Sequence, residues 1–307
     1  MLCSLFCLDK FFFFFACYNI VMSFISRHIR LIVLGMFMSI TIVIWTLVWQ
    51  RGRNALTFSV FDVGQGDALF IEHEEMQVLI DGGKNSAVLA GLGKRMSFWD
   101  RTIDVVLATH SDTDHIGGLP DVLERYDVGT VIESGNVSDT AVYEEFTRDI
   151  DTKGVAHIIG RSGTIIRLGN DAYIEILFPD RSPQEVARWE SNMASLVVRL
   201  VHGRSVVILT GDSPADAEEY MVGLYGDALH ADVLKAGHHG SKTSTSDVFL
   251  AAVAPTYAAI SVGCDNSYGH PSPEVVEKIR VFGSTIGNTC EEGTLVYESR
   301  GKGFVRK

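Results

Sequence analysis

His110-Ser111-Asp112-Thr113-Asp114-His115, followed by Ile116-Gly117-Gly118, places two imidazoles and two carboxylates within six residues. The run directly follows Ile103–Thr109 (IDVVLAT), a short apolar stretch of the kind that forms a buried strand. A tight turn at a strand end can aim several of these side chains inward together. Mixed nitrogen and oxygen donors suit zinc or manganese. The competing reading is a solvated polar turn with an aspartate N-cap.

Three further strand-end loops carry potential ligands. Leu209-Thr210-Gly211-Asp212 ends a strand on a carboxylate that can bridge two ions; it also reads as a helix N-cap, since Pro214 suits the first helical turn. Lys235-Ala236-Gly237-His238-His239-Gly240-Ser241-Lys242 sets paired histidines between glycines, which plain turns seldom do. Ser267-Tyr268-Gly269-His270-Pro271 holds one histidine in a rigid loop. Lys235 itself reads equally well as a strand-end lysine at the surface. His157 lies in a strand and His202 at a hairpin tip, and both read as structural.

Outward from these loops, strands are expected at Leu56–Val63, Ala68–Glu72, Gln77–Ile80, Val131–Glu133, His157–Ile159, Thr164–Leu168 and Ala172–Phe178. Ser195–Val201 and Ser205–Leu209 read as a hairpin, with further strands at Ala231–Lys235 and Tyr257–Ser261. Helices are expected at Ala87–Lys94, Leu119–Tyr126, Pro214–Leu224, Ser246–Val253 and Pro273–Phe282. Strand runs dominate the first half and strand–helix alternation follows. That order implies an α+β domain of two mixed sheets covered by helices.

The chain has 307 residues, 47% hydrophobic and 21% charged, which excludes a disordered or collagen-like protein. Five scattered cysteines exclude a disulfide scaffold and a cysteine-rich zinc module. The net charge of −12 is uneven: residues 1–53 carry five basic side chains against Asp9, about +4, leaving about −16 on the rest. An acidic domain gives no support to coating of duplex DNA, and no aromatic–basic stripe for single strands stands out.

Leu31–Trp49 (LIVLGMFMSITIVIWTLVW) is uninterrupted by charge and long enough to cross a bilayer. Arg27 and Arg30 flank one side, Arg51 and Arg53 the other. A membrane anchor, with its helix at about 31–50, accounts for this better than a buried core helix or a cleaved leader, because QRGRNAL offers no small-residue cleavage site. The domains are thus 1–53, hydrophobic with the anchor, and 54–307, the acidic soluble domain that carries the candidate ligand loops. Lys10 adds positive charge on the N-terminal side and favours that side in the cytoplasm, with residues 54–307 outside it. The phenylalanine run Phe11–Phe15 reads either as a second membrane-embedded segment or as an extension upstream of a start at Met22 or Met36. Cys3, Cys7 and Cys17 are candidates for lipidation. Cys264 and Cys290, alone in the soluble domain, can pair if it meets an oxidising compartment.

HSDTDHIGG resembles the H-x-[HD]-x-D-H signature of the metallo-β-lactamase superfamily. The ordered set DVGQGDA, LIDGG, HSDTDHIGG, NMASLVVRL, LTGD, LKAGHHGSKTS and NSYGHPSPEV resembles the ComEC-type subgroup of DNA-uptake proteins over roughly Leu56 to Val296. A polytopic competence segment is replaced here by one apolar span, so this chain is not itself a pore.

The resemblance implies an αββα sandwich with two divalent ions, zinc or manganese, at one edge. It assigns His110 and Asp112 to one ion and Asp114 and His115 to the second, with Asp212 bridging. One of His238 and His239 completes the second site, and His238 is preferred. Asn192 stands near the place of an expected histidine, which leaves the first site histidine-poor and shifts it toward manganese. Asp114 is also the orienting base, Ser241 and Lys242 hold a phosphate oxygen with Asn192 at the substrate, and His270 protonates a leaving group. The implied activity is a phosphodiesterase or nuclease acting on DNA beside other uptake proteins. The alternatives are a hydrolase of small phosphoesters, choline phosphate or lactones, and a metal-binding module without turnover.

Overall fold

Along Leu69–His73, Leu69 and Ile71 enter one hydrophobic cluster while Phe70 enters another; along Met76–Ile80, Val78 and Ile80 go with the first and Leu79 with the second. This alternation follows from the two-residue period of a strand and makes both faces of a sheet apolar, so both must be covered. The computed structural model describes residues 5–53 and 55–307, with side chains for 14–46 and 55–307. It divides into two units, Met1–Arg53 and Asn54–Lys307.

The larger unit holds fifteen strands among the described residues: β1 Leu56–Val60, β2 Leu69–His73, β3 Met76–Ile80, β4 Thr102–Ala108, β5 Asp127–Glu133, β6 Ala156–Ile159, β7 Ile165–Arg167, β8 Ala172–Phe178, β9 Val197–His202, β10 Ser205–Leu209, β11 Val233–Lys235, β12 Tyr257–Ile260, β13 Thr285–Asn288, β14 Leu295–Ser299 and β15 Phe304–Arg306. One sheet has the order β15-β14-β1-β2-β3-β4-β5-β6, the other β13-β12-β11-β10-β9-β8-β7. The cluster between them draws Phe58, Ile71, Ile80 and Leu107 from the first sheet and Ile174, Val198, Val207 and Val233 from the second. Helices Ala87–Arg95, Leu119–Arg125 and Ala141–Lys153 cover the outer face of the first sheet, where Phe70 and Val106 meet Leu92, Val122 and Phe146. Helices Ala215–Tyr225, Asp247–Val253 and Pro273–Val281 cover the second, where Ile208 and Leu234 meet Met221, Phe249 and Val275. The four layers are those of an αββα sandwich.

Strands β3, β4 and β5 run parallel, as do β10, β11, β12 and β13, so their C-terminal ends gather at one rim of each sheet. Each loop that the sequence marks as carrying candidate ligands follows one of these ends.

Three features differ from the sequence reading. Helix Ala141–Lys153 was not expected, although Thr140 caps it through the Tyr143 N–H and Tyr143, Phe146 and Ile150 form its buried face. Its Thr, Asp and aromatic residues are weak helix formers, which hides that spacing. Strands β13, β14 and β15 were not expected either. Strand β14 pairs with β1 (Leu56 opposite Ser299), a partnership across the whole unit that local pattern does not reveal. Finally, residues 5–25 form no separate helix: one helix runs from Leu5 to Arg53. Within it Phe14–Thr46, with mean hydropathy 2.1, is long and apolar enough to cross a membrane. Cys17 is exposed with a free thiol. The side chains of Cys3, Cys7, Lys10, Trp49, Arg51 and Arg53 lie outside the described residues.

Candidate metal centre

Three buried imidazoles and one buried carboxylate meet at the gathered strand ends. His110 follows β4, His115 lies in the short helix Thr113–Ile116, Asp212 follows β10, and His239 lies in the turn Gly237–Gly240 after β11. Leu196 N–H donates to the Thr109 carbonyl and ties the second sheet to the first here, while Asp67 N–H donates to the Asp114 carbonyl and holds the β1–β2 connection against the turn after β4.

Each imidazole is fixed through its Nδ1. His115 Nδ1 lies 2.7 Å from Asp81 Oδ2. Thr109 Oγ1 donates to the same Asp81 oxygen and therefore accepts from His110 Nδ1, 3.0 Å away. His239 Nδ1 donates to the Ser261 carbonyl at 2.9 Å. A ring that donates through Nδ1 presents a bare Nε2 when neutral, which is how ligating histidines are usually oriented. All three Nε2 atoms, and Asp212 Oδ1, are buried without a hydrogen-bond partner among the described residues. Buried polar atoms are rarely left so.

These atoms converge. His115 Nε2 is 3.3 Å from Asp212 Oδ1, and His239 Nε2 is 3.5 Å from Asp212 Oδ2 and 3.4 Å from Asp114 Oδ2. Asp112 Oδ2 lies 3.6 Å from His110 Nε2. The sets His110–His115–Asp212 and Asp114–His115–His239 each keep one ligand atom per residue within 4.8 Å of the others. The donor set fits divalent cations, with Asp212 between the two groups.

The charges respond to one another. Burial alone would lower the His115 imidazole, but Asp212 and Asp81 outweigh it and hold it well above its ordinary value. His239 is raised to about 9 against its burial, by Asp212 and Asp67. Asp212 is held far below the usual carboxylate range: burial opposes this, and His115, His239 and Lys235 prevail. Asp114 falls to about 2, again against burial, through His239 and His115. The sites thus keep carboxylates ionised and ready for a cation.

The choice between the paired histidines reverses. His239 is 1% exposed and turned among the carboxylates; His238 is partly exposed, with Nε2 3.7 Å from Asp212 Oδ2. Both have positive φ, so the backbone twists to point them apart. His270 stands at the rim, its ring 5.7 Å from that of His238, and burial followed by the two neighbouring histidines lowers its pKa. Ser241 is buried and spends its hydroxyl on Thr243, while Lys242 is exposed and makes no ion pair among the described residues. Asn192 opens the turn Asn192–Ala194 with its Oδ1 buried and unpartnered, and the preceding Ser191 Oγ lies 3.4 Å from Ser111 Oγ.

Lys235 is not a surface lysine. It is fully buried, ion-paired with Asp67, with Nζ 3.3 Å from the Gly211 carbonyl and 3.8 Å from Asp212 Oδ1. Asp67, Asp81 and Lys235 are the participants the sequence reading missed. Asp67 reads in the sequence as the end of a turn, Gly64–Asp67, and Asp81 as the end of a strand before two glycines. The signal available was a carboxylate placed directly after an apolar strand, as at Asp212. No pattern marks Lys235, which ends a strand of three residues.

An αββα sandwich with histidine and aspartate donors at the shared rim defines a class of metal-dependent proteins, most of them hydrolases. The chain belongs to the metallo-β-lactamase superfamily, whose family model matches residues 61–263. It is 30% identical over 255 residues to competence protein ComA of Neisseria gonorrhoeae, covering 83% of this chain and 34% of that one. It is also 30% identical over 262 residues to ComE operon protein 3 of Bacillus subtilis (strain 168), covering 79% and 33%. These are ComEC-type competence proteins, and the chain spans about a third of their length. Among solved structures, the metallo-β-lactamase fold protein YhfI from Bacillus subtilis superposes with a TM-score of 0.54 at 14% identity, over 80% of this chain and 99% of that one, which establishes the fold.

Proposed function

We propose that the unit from residue 55 to 307 is a dinuclear metal-dependent phosphodiesterase that cleaves DNA outside the cytoplasm, held at the membrane by the helix within Phe14–Thr46. The observation that carries the chemistry is the convergence of three Nδ1-fixed imidazoles, each with an unpartnered Nε2, on Asp212. The competence relatives support DNA as the substrate.

His110, Asp112 and His115 would hold one ion, Asp114 and His239 the other, with Asp212 between them. When bound, zinc or manganese would activate water and neutralise charge on the phosphate. Asp81 fixes the rings of His115 and, through Thr109, His110, so the donors do not have to reorganise as charge develops. Asp114 is the rim carboxylate, half-buried and ionised, and orients the attacking water. His270, with its lowered pKa, and His238 flank the open side, where a leaving group departs; His270 gives it a proton. Asn192 and Lys242 face substrate from the rim.

The structure also brings together what no sequence stripe displayed. A cleft of about 220 Å³ is lined by Phe178, Trp189, Tyr220 and Arg181, close in sequence to Asn192. Phe178 and Trp189 stack with centroids 5.7 Å apart, and the Arg181 guanidinium lies 5.7 Å from the Tyr220 ring centre. Its aromatic faces suit stacking of an unpaired base, while Asp216 and Asp180, the latter paired with Arg181 at 3.5 Å, keep the cleft acidic and unsuited to duplex phosphates.

Manganese- or zinc-dependent hydrolysis of bis-p-nitrophenyl phosphate and of single-stranded DNA tests this reading. Both activities should fall at least about 100-fold in Asp114→Ala, the scale of a positioned acid–base group. Ester cleavage without DNA digestion moves the substrate to small phosphoesters; no cleavage by the metal-loaded chain leaves a binding module.

A further inference from the structure

Tautomer reasoning for one of its two rings picks out a second cluster at the opposite rim. His73 ends β2, which runs antiparallel to β3; His202 ends β9, antiparallel to β10. Both therefore lie a full strand from the Asp81 and Asp212 ends. Strands β3 and β10 have five residues each, roughly 16 Å at about 3.3 Å per residue. Asp171, in the β7–β8 connection, stands between the two rings.

His73 Nε2 is 3.0 Å from Asp171 Oδ1, and His202 Nε2 is 3.3 Å from Asp171 Oδ2. The rings are 4.8 Å apart, and one ligand atom from each of the three residues lies within 4.8 Å of the others. The histidines are 2% and 1% exposed, and His73 Nδ1 is buried without a partner. The surroundings are built. The Asp171 carbonyl accepts from Gly203 N–H, which pins it to the β9–β10 hairpin. A side chain at Gly169 would come within 3.4 Å of the His73 ring, so glycine there lets the connection close over it.

Proton placement decides what this cluster is. His202 Nδ1 is 3.0 Å from Ser299 Oγ. Ser299 Oγ gives its only proton to Ser205 Oγ at 2.6 Å and accepts from Gly301 N–H. It must therefore accept from His202, and the proton sits on Nδ1. A neutral His202 then aims a bare Nε2 lone pair at a carboxylate oxygen 3.3 Å away. Two acceptors at that separation call for a cation between them.

We propose that His73, Asp171 and His202 form a zinc site separate from the catalytic centre, stapling the first sheet to the second at the far rim. Two imidazoles and a carboxylate are a zinc donor set, and the half-exposed Asp171 leaves a fourth position open to water. Because it joins both sheets, the ion stabilises the folded state without taking part in hydrolysis.

The test uses the full chain in detergent, stripped by chelator and titrated with zinc. Asp171→Ala removes an exposed side chain and leaves the core intact. It should bind one zinc equivalent fewer than the unaltered chain and keep its hydrolytic activity. His202→Gln should lose the same equivalent, whereas Asp212→Ala should retain it. Zinc should raise the unfolding midpoint of Asp212→Ala, and should raise that of Asp171→Ala less than that of the unaltered chain. Equal zinc content in Asp171→Ala and the unaltered chain, or an equal rise in their midpoints, overturns the proposal.

Discussion

At the scale of single residues, the candidate ligands stand out in the sequence and the groups that orient them do not. His110, Asp114, His115 and Asp212 stand out because histidine and aspartate interrupt apolar strands at their ends. Asp81 stands in the same position, at the end of a strand before Gly82-Gly83, yet the sequence reading assigns it no role. What sets it apart is its partners, Thr109 and His115, 28 and 34 residues away. Asp81→Asn should lower metal affinity about 10- to 100-fold while ester hydrolysis at saturating metal falls less, since an orienting partner is lost and not a ligand. Isothermal titration with manganese checks it, and unchanged affinity would remove Asp81 from the metal's support. His157, read from sequence as structural, gives a prediction of the opposite kind. Its Nε2 lies 3.0 Å from Glu133 Oε1, and that bond, the largest influence, raises its pKa. A raised folded pKa means the stabilisation is complete below the unfolded value near 6.5 and vanishes as pH climbs through the folded one. The stability gap between the unaltered chain and His157→Gln should therefore be widest near pH 5.5 and close by pH 9. Because the ring is partly exposed, the gap should stay below about 1 kcal/mol. Urea unfolding at several pH values measures it, and a gap that widens with rising pH would refute it.

At the scale of elements, the decisive contact is loop against loop. The β1–β2 connection, read from sequence as a plain turn at Gly64–Asp67, packs on the signature turn so closely that Asp67 N–H reaches the Asp114 carbonyl at 3.2 Å. Gly66 has φ +123°, and a Cβ there would sit 2.0 Å from that carbonyl oxygen. Backbone cannot yield by that amount, so Gly66→Ala must separate the loops. It should cost about 1–3 kcal/mol by overpacking and abolish tight metal binding, because Asp114 and His115 ride on the displaced turn. Gly64 is the control: its φ is also positive, at +74°, but nothing lies within 4 Å of its Cβ position. Gly64→Ala should cost about 1–2 kcal/mol of left-handed strain with metal binding intact. Equal metal affinity in both variants would show that the loop contact does not position the centre. Strand periodicity located most elements to within a residue or two. It was silent on this contact because hydrophobic pattern reports which face is buried, not which loop lies over which.

At the scale of the whole molecule, the distribution of charge and sulfur bears on which side of a membrane the proposed hydrolase unit would occupy. Phe14–Thr46 spans about 50 Å at roughly 1.5 Å per residue, longer than a hydrocarbon core of about 30 Å. Arg27 and Arg30 interrupt it, so the stretch from Leu31 onward is the part suited to the bilayer interior. The Cys264–Cys290 disulfide supplies an independent clue, since such bonds persist in oxidising compartments. It joins the loop leading to His270 to the short helix Thr289–Glu292, across a sequence separation of 26. Closing a loop of that length is worth about 3–4 kcal/mol in the chain-entropy account. Cys290→Ser should therefore lower the unfolding midpoint by about 10 °C, at roughly 2–4 °C per kcal/mol for a unit of this size. Differential alkylation and mass spectrometry on chain taken from membranes, without reductant, should find Cys264 and Cys290 blocked and Cys17 free to react. If both of the former label before reduction, the bond is absent in the cell and the hydrolase unit loses its strongest physical argument for lying outside the cytoplasm. If they label only after reduction, charge asymmetry and covalent chemistry assign the unit to the same side.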